Sequence, residues 1–543
     1  MKIIIYMIIL SLVSTVLAEE FDISATNTMK FGTGSEWAGD AKDIEIKKQY
    51  IQDYISVDAS KGNFSLGFRY EAADLSEHNE SLNEITKKYF MYSNNDITIT
   101  AGDFYGTFGR GLVLDLKEEK ADFFDSKITG GKVMYNGNFL TLQALGGKSY
   151  FKSINDVVSG VETVCQMDNA ILGGETVLSL NEIFKMEDYI FSLGGSYLYM
   201  KGADFTDMDL ITDEIYASTF IEKTEIGGIS LSASAFNFDF FNEYAIKNTQ
   251  RTPSKQGWAN YTSLAYSTEG FGITVEFKDY YQYSANPNAT VSAFTPYQGG
   301  PELTIDHSSH LLNSHPHEIN PNDEIGYKFS ILTQPLQNVD VSAIFAFASK
   351  HNEDSMIPET SDDYLPYIDS WMDGKYNSEK YNLTIGGGYM YDSPLSKDNN
   401  SNIIPGETDP DSTSIYTDER ITFLGELHYE LNENSSLIIA GEYQVVNNTN
   451  EIEDKEYNDM YVALEYAYPE YGYLNISLIT TSEEVVGDSP DSWLGFEAGV
   501  NIFDNHKLEL FYGRERAGIK CSGGACRQVP EFDGFRMTLI SEF

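Results

Sequence analysis

The sequence is short of positive charge, of cysteine and of long apolar runs. Its 36 Lys and Arg face 83 Asp and Glu, a formal net charge of -47. Nucleic-acid binding needs cations that displace phosphate counterions, so no nucleic-acid partner is expected. Glycine and proline, 44 and 15 of 543 residues, stay near ordinary usage, which excludes a collagen-like or low-complexity chain. Beyond the first residues, no stretch approaches the roughly 20 apolar residues of a membrane-crossing helix. The signatures of common chemistry are missing too. There is no G-K-[ST] phosphate loop, no H-E-x-x-H, no EF-hand pattern and no G-x-S-x-G nucleophile turn. No catalytic triad can be read, and the chain is not expected to be an enzyme.

What the chain has is burial material. With 37 Tyr, 32 Phe and 41% apolar residues it is no disordered acidic polymer. Met1 and Lys2, the apolar run Ile3 to Val13 and Val16-Leu17-Ala18 before Glu19 read as a secretory signal peptide over 1–18. Ala18 is followed by Glu, not Cys, so a lipoprotein is not indicated. Residues 19–543 are then a single domain.

That domain alternates in twos. Phe535, Met537, Leu539 and Phe543 share one face of the last segment, interrupted by Ser541, while Gly534, Arg536, Thr538 and Glu542 share the other. Met460 to Tyr468, Ile421 to Tyr429 and Val339 to Phe347 behave alike. Connections alternate in length as well. Asn136 to Asn138, Gln334 to Gln337, Leu431 to Ser435, Pro469 to Gly472 and Asp504 to His506 are tight; 285–323, 351–379, 394–418, 448–456, 483–490 and 518–531 are long and mostly polar. The order breaks where 351–379 and 394–418 follow one another, which points to a further strand around Tyr364 to Trp371. The fold expected is all-β: a large antiparallel transmembrane β-barrel of roughly 18 to 24 strands, with apolar residues toward lipid and long outer loops. A soluble β-sandwich or solenoid is the alternative that alternation by itself leaves standing. The amphipathic last strand ending on Phe543 resembles the assembly signal of bacterial outer-membrane barrels. It implies location in the outer membrane, with lipid, lipopolysaccharide and the barrel-assembly machinery as partners.

Four constellations are candidates for function. Gly102-Asp103-Phe104-Tyr105-Gly106-Thr107-Phe108-Gly109-Arg110-Gly111-Leu112 carries four glycines that suit strand bending or close approach of another segment. Arg110 is then a lumen charge with Asp103 or Asp115 as partner. His307, His310, His315 and His317 hold four of the eight histidines within eleven residues, between Asp306 and Glu318, and are ligands suited to a divalent metal. They match no strong zinc motif, and a solvated or lumen-folded loop is the stronger reading, with protonation near pH 6 tuning a gating loop as a further alternative. Cys521 and Cys526 are spaced for a small disulfide loop, with metal binding as the weaker reading and Cys165 left over. Arg514, Arg516, Arg527 and Arg536 place half of the eight arginines around that pair, where they suit lumen carboxylates. Glu353, Asp354, Glu359, Asp362, Asp363, Asp369 and Asp373 read as a solvated exterior.

Two of these segments, GDFYGTFGRGL and CSGGACRQVP, resemble the G-[ND]-F-Y-x-x-F-G-R-G-L and C-x-G-G-x-C-R-x-V-P segments of a family of uncharacterised bacterial outer-membrane proteins. The resemblance implies an outer-membrane barrel and assigns no residue a role. The expected function is a porin-like channel for passive passage of small, cation-favoured hydrophilic solutes. The alternative is a plugged barrel acting as surface scaffold or metal and ligand binder. A hydrolase built on the barrel wall is the third reading.

Overall fold

The computed structural model describes residues 21–543 except 39–43, 75–80, 120–123, 158–160, 187, 203–222, 250–254, 284–296, 302, 304–306, 316, 318, 353–354, 394–416, 450–453, 484–490, 504, 517, 523–524 and 530. The expected signal peptide, Asp306 and Glu318 lie outside the described residues. So do the side chains of Cys165, Cys521, Cys526 and Arg527.

Strands pair with their sequence neighbours from Asp22–Ala38 onward, every pairing antiparallel, and the last strand Glu531–Glu542 pairs back onto the first. The result is a closed barrel of 24 strands. Closure spans Thr26 opposite Glu542 to Trp37 opposite Glu531, and Ala25 and Phe543 exchange backbone hydrogen bonds of 3.1 and 2.8 Å. Every edge is thereby paired, which is what a spanning sheet requires where no water satisfies backbone groups.

Alternation fixes the two faces. Phe64, Leu66, Phe68, Ile97, Ile99, Leu172, Ile229, Ile385, Phe423, Val462, Leu474 and Phe496 are exposed on the outside. Their neighbours along each strand, such as Arg69, Glu243, Lys278, Arg420, Gln444 and Asp459, are buried and polar on the inside. An apolar exterior with a polar interior inverts a soluble core and is the arrangement of an outer-membrane barrel.

The rims differ as the sequence pattern requires. One rim, the turn side, carries both chain ends and tight turns such as Gly62-Asn63, Phe236-Asn237 and Glu269-Gly270. The other, the loop side, carries the long segments. The break in the pattern at 351–379 resolves as a strand, Tyr367–Asn377, entered through a 3-10 turn at Asp362–Tyr364 and joined to Tyr381–Asp392 by a tight turn. Treating 351–379 as one loop is therefore corrected: Trp371 and Asp373 point inward and are spaced by two, a strand signature hidden among polar neighbours. Asp369 and Asp373, read as exterior, face the lumen for the same reason.

Candidate functional site

Two loop-side segments fold into the barrel. The first leaves the wall at Phe104, forms a small hairpin of Gly106–Phe108 and Leu114–Leu116, and returns at Ile128. Gly102 makes the departure possible: its φ is +109°, and a Cβ there would sit 2.4 Å from the Lys88 carbonyl oxygen. Phe108, Leu112, Val113 and Leu114 are 0% exposed and pack on Leu145, Ile171, Leu198, Ile226 and Ala245 of the inner wall. This is a hydrophobic core inside a polar lumen. Two wall carboxylates hold its tip, because Glu175 accepts from Gly109 N at 2.8 Å and Glu243 from Arg110 N at 2.6 Å.

The second insert comprises the described residues between Tyr283 and Asn322. Its Tyr297 to Gly299 stretch seals the first: Gly299 N donates to Gly111 O at 3.1 Å, Gln298 Nε2 to Leu112 O at 2.8 Å, and Asp115 N to Tyr297 O at 2.8 Å. Gly111 has φ +97° and lies against Gly299, where a Cβ would meet the carbonyl at 2.4 Å. Farther on, Ser309 caps a single turn at His310–Asn313. Glu442 of the wall takes three hydrogen bonds there, from Ser309 Oγ at 2.7 Å, His310 N at 2.7 Å and Leu311 N at 2.9 Å.

The four histidines of this insert do not converge. His307 Nε2 lies 2.8 Å from Asp369, which also accepts from Tyr367. His310 stacks on Tyr461 with ring centroids 4.6 Å apart. His317 stacks on Tyr367 at 4.0 Å and bridges Asp392 and Glu324 at 3.0 and 3.4 Å. Burial opposes charge on His317, yet Asp392 and Glu324 prevail and lift it to about 10. Burial, with Arg420 and Arg516 nearby, pushes His315 well below the ordinary imidazole range and keeps it neutral. His351 of the next loop repeats the theme: burial works against it, but Asp279 and Asp323, at 3.1 and 2.7 Å, raise it to about 9. Among the described residues no three His, Cys, Asp or Glu side chains group around one metal position.

Arg110 departs from the sequence expectation. Asp103 is occupied by Lys88 N and Thr129 Oγ1, and Asp115 by Thr107 Oγ1 with Lys117 at 3.6 Å. The exposed Arg110 guanidinium instead lies over the Phe241 ring at 5.0 Å, with no carboxylate pair among the described residues. The hairpin turn aims it away from both aspartates. The C-terminal arginines do meet carboxylates: Arg514 with Asp533 at 2.9 Å, Arg516 with Asp459 at 2.6 Å, and Arg536 with Glu515. Of Cys521 and Cys526 only the register is described; they stand opposite one another in a hairpin, Gly518–Ser522 with Ala525–Val529, that also carries Arg527.

Toward the turn side the lumen wall is half-exposed and acidic. Glu465, Asn475 and Glu497 face one another across three strands, with Glu426 and His428 beside them and Tyr473 Oη donating to Glu497 at 2.6 Å. The anchoring carboxylates Glu175, Glu243, Glu324, Asp392 and Glu442 escaped the sequence reading, since among 83 acidic residues only the barrel's register distinguishes them.

A model of a family described as a family of unknown function (DUF6029) matches residues 1–340 and 396–543. No curated protein matches the chain. Solved structures to which it is similar include the siderophore receptor PirA from Pseudomonas aeruginosa, 8% identical with a TM-score of 0.42, covering 96% of this chain and 80% of that one. The FrpB iron transporter from Neisseria meningitidis, in its apoprotein form, is 9% identical with a TM-score of 0.44, over 98% and 83%. The copper transporter OprC is 10% identical with a TM-score of 0.41, over 96% and 81%. Identities and scores this low say nothing of what this chain carries.

Proposed function

The chain belongs to the family of unknown function (DUF6029), and we propose from its lumen that it passes small, cation-favoured hydrophilic solutes across the outer membrane. The observation that carries this reading is the contrast along the barrel axis. On the loop side two ordered inserts occupy the lumen and narrow it. On the turn side Glu426, Glu465, Glu497 and Glu509 leave an acidic, half-exposed wall that concentrates cations. Passage needs no covalent chemistry and no bound cofactor. Arg110, exposed at the tip of the first insert, is the cation that a solute meets between these zones, and it tunes selectivity against the surrounding carboxylates.

A plugged barrel is the second reading, and the packing of Phe108, Leu112 and Leu114 favours it: the first insert is a folded core and not a loose flap. In that reading the inserts present a binding surface. Planar-bilayer recording of the refolded barrel under a salt gradient separates the two. Steady steps with a cation-selective reversal potential support passage; silence from demonstrably folded protein removes it and leaves the binder. The histidine-rich segment as a divalent-metal site belongs to that second reading, with equilibrium dialysis against Zn2+ as its test.

A further inference from the structure

The loop that follows Val339–Ser349 goes the other way from the two inserts. Its described residues between Lys350 and Pro366 are fastened to the outer face of the wall. Lys278, Glu324, Ala346 and Ala348 point inward, so alternation turns Asp279, Asp323, Ile325, Tyr327, Phe345 and Ser349 outward. His351 bridges Asp279 and Asp323, Glu359 N donates to Ser349 Oγ at 2.8 Å, and Tyr327 Oη donates to Met356 O at 3.0 Å. Tyr391, outward on Tyr381–Asp392, donates to Asp362 at 2.6 Å. Ile325 and Ser349 are each only 1% exposed, while Phe329 and Phe345, farther along the same face, are 40% and 42% exposed. The loop is thus a strap laid over the outside of the barrel. It also holds itself together, because Lys350 N donates to Tyr364 O at 2.7 Å and the Asn352 amide joins Glu359 to Tyr364.

The strap's height on the wall follows from its contacts. Asp323–Leu336 runs from the loop side to the turn side, so Tyr327 stands below Ile325 and just above the exposed Phe329. The Tyr327 ring lies 4.9 Å from Phe277, and higher on the same face Trp258 stacks on Tyr281 at 4.5 Å and donates to Asp279. Rings on the wall with their polar atoms bonded mark the level where headgroups give way to acyl chains. Asp362, held by Tyr391 one residue from the end of its strand, is the strap's upper edge. Its lower edge is Met356 and Ile357, 55% and 70% exposed beside a buried Pro358. A lone exposed apolar side chain is ordinary. Two adjacent ones, fixed at the upper margin of the lipid-facing band, continue a surface that acyl chains already cover.

We propose that this strap is a lipid-binding element: Met356 and Ile357 enter the acyl layer of the outer leaflet, while Asp362 and Asp363 stay at the level of the headgroups. The partner is lipid acyl chains and not a second protein. The strap spans four strands of the wall, from Asp279 to Tyr391, and its apolar edge sets how deep that side of the barrel sits. None of this depends on what the lumen passes, so the strap stands or falls apart from the proposed passage.

Photo-crosslinking of the full chain in outer membranes tests it, with a benzophenone amino acid placed in turn at positions 357, 356, 345 and 363. Position 345 reports the lipid against the wall, and position 363 reports the headgroup side of the strap. Heat-modifiable mobility identifies the folded protein in each case, and position 356 carries the test if the change at 357 blocks assembly. Lipid-mass adducts are expected from 357 and 356 at least about tenfold above those from 363, as transfer of one apolar side chain from water to hydrocarbon requires. Lipid adducts at 345 with none at 356 or 357 would overturn the proposal. So would adducts from 357 to protein in place of lipid, which would make the strap's edge a contact for another chain.

Discussion

The two inserts share one lumen but are held there by different forces. The first, 105–127, carries its own apolar core and presses it on small and branched residues of the wall, with Glu175 and Glu243 hydrogen-bonded to its backbone and the wall's Arg69 paired with its Glu118, a pair whose charges persist between pH 6 and pH 10. Among its described residues the second, 283–322, buries the apolar side chains of Tyr283, Tyr297, Leu303, Leu311 and Leu312 and is fastened by polar contacts: His307 to Asp369, the ion pairs of His317 with Asp392 and Glu324, and three donors to Glu442. Apolar burial carries no proton to lose, whereas buried ion pairs depend on protonation. One chain thus builds a fixed partition and a conditional one side by side.

The largest effect should come from breaking the apolar hold. Leu112→Ala or Leu114→Ala removes a fully buried side chain and should cost the first insert about 3 kcal/mol each, leaving a cavity under the hairpin. Limited proteolysis at 105–127 would report the release, with the second insert loosened only through Tyr297 to Gly299. Next in size is Glu442→Ala, which orphans Ser309 Oγ and two backbone N–H groups and should cost the second insert about 2 kcal/mol. The amides of 309–313 would then exchange faster while those of 108–116 stay protected.

Protonation sharpens the contrast further. His317 titrates near 6.5 when free and at about 10 in the fold. Its hold on the second insert is therefore complete below about pH 6.5 and fades as pH rises toward 10. The groups facing it are Asp392, Glu324 with its Lys278 partner, and Tyr367. His317→Phe, which keeps the stack on Tyr367, should flatten that pH dependence; an unchanged profile would show that the pairs carry none of the hold. The smallest structural effect is expected of Arg110→Gln, an exposed site worth less than about 0.5 kcal/mol in stability. Its reversal potential should nevertheless move toward stronger cation selectivity.

Much of the wall was legible, because strand period and hairpin punctuation are local properties. The closed barrel has 24 strands, the upper end of the expected range, and even the strand starting at Tyr367 announced itself as a gap in the rhythm of connections. The inserts were legible only in part. Glycines at 102, 109 and 111 mark bending and close approach, yet nothing local says that the segment between them enters the lumen. Arg110 illustrates the limit: neighbours in sequence, Asp103 and Asp115, face other partners, while Phe241 and Glu243 arrive from one strand more than a hundred residues away. The histidines likewise look like one cluster along the chain and are distributed by the fold to Asp369, Tyr461, Asp392 and Glu324.

The most direct test of this account is hydrogen–deuterium exchange of the membrane-embedded barrel at pH 6 and pH 10, corrected for intrinsic exchange. Amides of 108–116 and 309–313 should both be protected at pH 6, and at pH 10 only the second set should lose protection. Free-peptide exchange of both sets at pH 6 would contradict it, since the segments would then not be folded into the lumen at all.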